Sequence, residues 1–210
     1  MLSTSIRLQL EPGERVTLQP VSWQRFEEVL AELGDRRLPR VAYADQTLEI
    51  MAPLPEHERS KVFIADLVKL LLKAQKRRWE PLGSTTFKRE EMLAGIEPDD
   101  CFYIQNYQAV IGKDRIDLTV DPPPDLAIET DVTSKTELSA YQALGIPELW
   151  IYAKGKLKIN VLENGEYREV SVSSTFPDFA VIDLIPRFMQ RAKIVGVSQA
   201  LDEFEVLIHS

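Results

Sequence analysis

The chain has 210 residues, 44% of them hydrophobic and 28% charged, so it is long enough to bury a full core, and no low-complexity linker divides it. Its net charge of −8 argues against the positive coat of a tight nonspecific nucleic-acid binder, and its longest apolar runs are interrupted by charge too often to span a membrane. The one cysteine, Cys101, excludes an internal disulfide, and the start lacks a cationic segment followed by an apolar run, so a reducing cytoplasm is the expected location.

In chain order, Ser5–Leu10 and Arg15–Leu18 flank Pro12-Gly13 as an expected hairpin, and a helix is expected from Trp23 to Leu33 with Ser22 as cap and Gly34 as stop. Residues 1–46 read as an N-terminal extension packed on a core that occupies 47–210. Val41–Ala44 and Thr47–Met51 bracket Asp45-Gln46 as a second hairpin, and a long helix follows from Glu56 to Arg78 with Phe63, Leu67, Leu70 and Leu71 in one stripe. It opens Glu56-His57-Glu58, where acids suit the positive end of the helix dipole and a histidine can be a surface residue or a cap. Basic residues gather at Arg36, Arg37 and Arg40, at Lys73 to Arg78, and at Lys88 and Arg89, in each case readable as a solvated face. Short strands are expected at Thr85–Lys88 and at Cys101–Ile104, the second preceded by Pro98-Asp99-Asp100, and a polar connection then runs from Gly112 to Asp117.

The organising stretch is Pro122–Tyr152. Three prolines end the preceding segment, and Leu126–Thr130 resumes as a strand in which Asp125, Ala127, Glu129 and Asp131 share a face. Ser134 and Glu137 form a capping-box pattern, Gly145 and Pro147 stop the helix, and Glu148–Tyr152 is a second strand. Strand, helix and strand in this order make a right-handed parallel crossover, which brings Glu129 and Lys135 to one sheet edge. Leu157–Leu162 and Tyr167–Val172 then turn about Asn164-Gly165, and helices near Arg187–Ile194 and Gln199–Leu207 close the chain. The fold class is therefore α/β (α+β): a mixed central sheet flanked by helices, with the N-terminal hairpin and helix appended.

Carboxylates from two neighbouring strands beside a lysine form a hard oxygen site suited to Mg²⁺ or Mn²⁺, which can orient a phosphate and acidify a water. Two histidines, His57 and His209, cannot build a zinc site without acids, and there is no phosphate-binding loop, dinucleotide fingerprint or nucleophile elbow.

The order Pro98-Asp99, then Asp125-Leu-Ala-Ile-Glu129, then a capped helix and a strand resembles the PD-(D/E)XK nuclease superfamily, with its restriction-endonuclease-like core. Glu49-Ile-Met-Ala-Pro-Leu-Pro-Glu56-His57-Glu58, Glu97-Pro98-Asp99 and Gly145-Ile-Pro147-Glu148-Leu-Trp150 look more closely like the Uma-type bacterial family of restriction-endonuclease-like proteins, from Thr47 to the C-terminus. The resemblance implies a Mg²⁺- or Mn²⁺-dependent endonuclease acting on nucleic acid, DNA in the first instance, as a homodimer. It also implies that Asp99 and Glu129 ligate the metal with the carbonyl of Thr130, and that Glu56 or Glu58 and His57 contribute to the site. The superfamily places a lysine two residues beyond the strand glutamate, where this chain has Asp131. Lys135, in the first turn of the next helix, is the expected substitute, set against a solvated lysine. Asp131 is either an outer group of the site or part of the turn, and Asp125 either joins the acids or caps the strand. The alternative is a catalytically silent nuclease fold that binds nucleic acid or protein.

Overall fold

In the computed structural model, residues 10–34, 39–53, 55–131 and 134–209 are described, the side chains of 55–57 excepted. Three apolar clusters separate five layers. The outermost is α1 (Trp23–Leu33), opened by Ser22, whose Oγ accepts the Arg25 N–H. It packs Phe26 and Val29 on Val41, Tyr43, Leu48 and Ile50 of a first sheet. That sheet holds β1 (Arg15–Leu18), β2 (Arg40–Ala44) and β3 (Thr47–Met51), with β5 (Phe87–Arg89) and β6 (Ala94–Ile96), in the order β1-β3-β2-β6-β5 and antiparallel throughout. Gly95 makes the close approach of helix and sheet possible, because a Cβ there would stand 2.6 Å from Phe26 Cζ.

The middle layer is α3 (Lys135–Leu144), whose Ala140, Tyr141 and Leu144 are buried between the two sheets. Its capping box is complete, and Gly145 takes the left-handed conformation (φ 72°) that ends it. Below it lies the second sheet: β4 (Glu80–Pro81), β7 (Asp100–Tyr103), β8 (Leu126–Glu129), β9 (Glu148–Ala153), β10 (Lys156–Glu163) and β11 (Glu166–Val170), in the order β11-β10-β9-β8-β7-β4. Among the described strands only β8 and β9 pair in parallel, joined by α3 as the crossover that the sequence led us to expect. The final layer is α2 (Pro55–Ala74), α4 (Val181–Val195) and α5 (Val197–Ile208), which cover the other face of this sheet through Phe63, Leu67, Ile185 and Phe204.

Alternation along the strands sorts the side chains between these layers. Phe102, Leu126 and Ile128 face α2, whereas Cys101, Tyr103 and Ala127 face α3. The expected mixed central sheet is thus the second sheet, and the first is a separate antiparallel one. Within it β1 pairs with β3; Ser5–Gln9, most of its expected hairpin partner, lies outside the described residues. Two boundaries differ from expectation for local reasons. α2 stops at Ala74 because Lys76 adopts a left-handed conformation (φ 56°) and Arg77 N–H closes on Leu72 O, a stop made without glycine. α4 begins six residues earlier than expected and carries Pro186 inside its second turn.

Candidate active site

The acids converge where the N-terminus of α3 opens between the sheets. The last antiparallel pair of β7 and β8 is Asp100 with Ile128, so Asp99 and Glu129 occupy the next register position. Both share the face of Cys101 and Ala127, toward α3. Directly opposite positions of this kind have Cβ atoms about 4.5–5.5 Å apart.

Asp99 is 5% exposed. Its Oδ2 accepts the Thr130 N–H at 2.7 Å and the Thr130 hydroxyl at 2.5 Å, and its Oδ1 accepts from Arg40. Arg40, the first residue of β2 and itself buried, uses its other terminal nitrogen on Glu58 Oε1 at 3.0 Å. Glu58 also meets Lys61 at 2.6 Å, and these two cations outweigh burial and hold its carboxyl below the ordinary range.

Glu129 has a different environment. Its Oε1 accepts from the Tyr141 hydroxyl, and no second hydrogen bond reaches it among the described residues. Burial, reinforced by the nearby Glu137 carboxylate, pushes its carboxyl up to about 8, against the smaller opposing effects of Tyr141, Arg40 and Arg15. Burial also raises Glu137, although that group accepts the Ser134 N–H at 2.6 Å and lies 3.4 Å from Arg15. Arg15 in turn bonds Glu49 at 2.7 Å. Arg40, Glu49, Glu97, Glu129 and Glu137 line one narrow cleft of about 10 Å³, the lower bound for a single water.

The positions singled out in the sequence divide accordingly. Asp99, Thr130 and Glu129 come together. Lys135 is exposed in the first turn of α3 at the same end of the sheet, and Asp131 is half-buried just beyond β8. The side chains of Glu56 and His57 lie outside the described residues, as do Arg36 and Arg37. Asp125 is remote: its Oδ2 accepts the Ile104 and Gln105 N–H groups at 2.6 and 2.9 Å, at the opposite end of β8 and about 13 Å along the strand. It caps the end of β7, so three acids on one face do not make three acids in one site.

Arg40, Arg15 and Tyr141 were not anticipated as site residues, and Glu137 was read only as a cap. The available signal was a charged residue on the inward face of a strand otherwise lined by small apolar ones, as Arg40 precedes Ala42 and Ala44.

The all-oxygen, anionic donor set has the chemistry of a hard divalent cation, and the raised carboxyls of Glu129 and Glu137 are those such a charge would relieve. As arranged, the set is closed: among the described residues no group of three or more His, Cys, Asp or Glu is placed to hold a metal, and Arg40 occupies Asp99.

The layered α/β architecture is that of a restriction-endonuclease-like core. A family model described as "Putative restriction endonuclease", the Uma2 family, matches residues 23–190, and the chain belongs to that family. Its structure is similar to the crystal structure of a putative nuclease from Anabaena variabilis ATCC 29413, with a TM-score of 0.52 and 14% identity over 87% of this chain and 99% of that one. No curated protein matches the sequence. Among the described residues no helix is long and apolar enough to cross a membrane.

Proposed function

We propose that the chain is an endonuclease that hydrolyses phosphodiester bonds of nucleic acid, DNA in the first instance, with Mg²⁺ or Mn²⁺ held by Asp99, Glu129 and the Thr130 carbonyl. The observation that supports it most is the shared register and face of Asp99 and Glu129 at the head of α3. The cation would supply positive charge at the scissile phosphate and acidify the attacking water.

The chain's own residues do the rest. Thr130 fixes Asp99 through two donors, and Tyr141 orients Glu129 through its hydroxyl. Arg40 neutralises Asp99 and is already bonded to Glu58, so a small swing toward Glu58 would free Asp99 Oδ1 without leaving the guanidinium unpaired. Lys135, beside the positive end of α3, favours an anionic phosphate arriving from solvent. Asp131 acts as an outer group, and a contribution from Glu56 and His57, in the first turn of α2, belongs to the same proposal. A cytoplasmic homodimer with one site per strand completes the reading.

The Arg40–Asp99 pair also favours a second reading, a silent nuclease-fold module that binds nucleic acid or protein, because it neutralises a carboxylate the chemistry needs. Cleavage assays on single- and double-stranded DNA and on RNA with Mg²⁺ or Mn²⁺ separate the two. Asp99→Ala and Glu129→Ala should each abolish an EDTA-sensitive cleavage; cleavage that persists in both overturns the assignment. Binding without turnover on every substrate selects the silent module.

A further inference from the structure

A groove of about 550 Å³ runs beside the acid cleft, and Glu97 lines both. One wall is α1, through Glu27, Leu30 and Ala31; the other is the connection carrying Asp114, Arg115 and Ile116. The floor is Ser84, Thr85 and Thr86, leading to Lys88. This floor is tied to the acids at two points. Ser84 Oγ donates to the backbone carbonyl of Asp99 at 3.3 Å, and Thr86 Oγ1 donates to Glu97 at 2.6 Å.

We infer that this groove seats one or two nucleotides of a single nucleic-acid strand next to the carboxylates, with Ser84, Thr85, Lys88 and Arg115 meeting phosphate oxygens and Leu30 and Ile116 meeting a base. The inference rests on the nuclease reading for its substrate class. The size lies within the range of about 300–1,000 Å³ usual for small-ligand sites, and its hydroxyls and exposed cations offer partners for phosphates and its apolar patch one for a base. Lys88 is bonded to Glu27 across the rim at 2.5 Å, but both side chains are exposed and such a pair is weak, so a phosphate displaces it at little cost. Among the described lining residues two cations stand against the acids Glu27, Glu97 and Asp114 and there is no aromatic platform, so the groove holds a strand weakly and leaves the cutting position to the adjoining cleft.

The test is fluorescence anisotropy of labelled (dT)6 and (rU)6 oligonucleotides on the full chain in EDTA, where binding is read without turnover. The double variant Lys88→Gln/Arg115→Gln should weaken both oligonucleotides about tenfold and make the log–log salt slope shallower by roughly 0.7 for each phosphate that the wild-type side chains neutralise. Glu27→Gln, which releases Lys88, should tighten them two- to threefold, a gain that mere destabilisation would not produce. Unchanged affinity in the double variant, weaker binding in Glu27→Gln, or no binding by the wild type overturns the groove. Absence of cleavage on every substrate would sink the nuclease reading and leave this measurement standing, whereas cleavage with groove-insensitive binding would do the reverse.

Discussion

Two acids on adjacent parallel strands, Glu148 at the start of β9 and Glu129 at the end of β8, show how differently the fold can treat a carboxylate. Glu148 is 1% exposed and accepts four hydrogen bonds: from Trp150 Nε1 at 2.6 Å, Ser173 Oγ at 2.5 Å, and the Thr175 N–H and hydroxyl at 2.9 Å each. It staples the 171–176 loop to the sheet. Among the described residues Glu129 accepts one bond, and it lies near Glu137 and lines the narrow acid cleft. A satisfied acid holds structure together; an under-satisfied one at a cleft is where an incoming charge would be stabilised.

Removing the satisfied acid should have the largest effect. Glu148→Ala leaves the donors of Trp150, Ser173 and Thr175 without their acceptor, and at about 1–3 kcal/mol per buried orphan the loss should reach about 3 kcal/mol or more in denaturant unfolding. A change under about 1 kcal/mol would show that the staple is dispensable.

Glu129 should respond in the opposite direction, and only above acid pH. Its carboxyl is raised in the folded state, so its stabilising contribution is whole below the ordinary value of 4.5 and is lost as pH rises through about 8. Without metal, Glu129→Gln should therefore match the wild-type Tm near pH 5 and exceed it near pH 9. Parallel Tm profiles across that range would remove the contrast with Glu148.

The smallest effect sharpens the same contrast. Tyr141→Phe deletes the one hydrogen bond that favours ionised Glu129, at a stability cost of about 1 kcal/mol. It should move the midpoint of the Glu129-dependent profile to higher pH. A midpoint that stays or falls would show that Tyr141 does not set the charge of Glu129.

Much of the second sheet was legible because its signals are local. Ser134 with Glu137 marks the start of α3, Gly145 and Pro147 mark its end, and alternation gives the face of Glu129. In the first sheet the β2–β3 hairpin and the strand Arg15–Leu18 were legible, and the expected Thr85–Lys88 strand overlaps β5. How these strands assemble was not, because the pairings of Arg15 with Met51 and of Ala42 with Ile96 cross separations that no local pattern records. The site was half-legible for the same reason. Parity along a strand tells which face Asp125 and Glu129 take, but not that Asp125 serves the far end. Nor does a sequence show that Arg40, from another sheet, would reach Asp99.

The most direct measurement is calorimetric titration of Mn²⁺ into wild-type protein, Asp99→Ala and Glu129→Ala, each confirmed as folded. The expected result is one saturable site in the wild type that is lost in both variants. Binding of equal affinity in all three, or none in the wild type, would contradict the claim that these two strands hold a cation for catalysis.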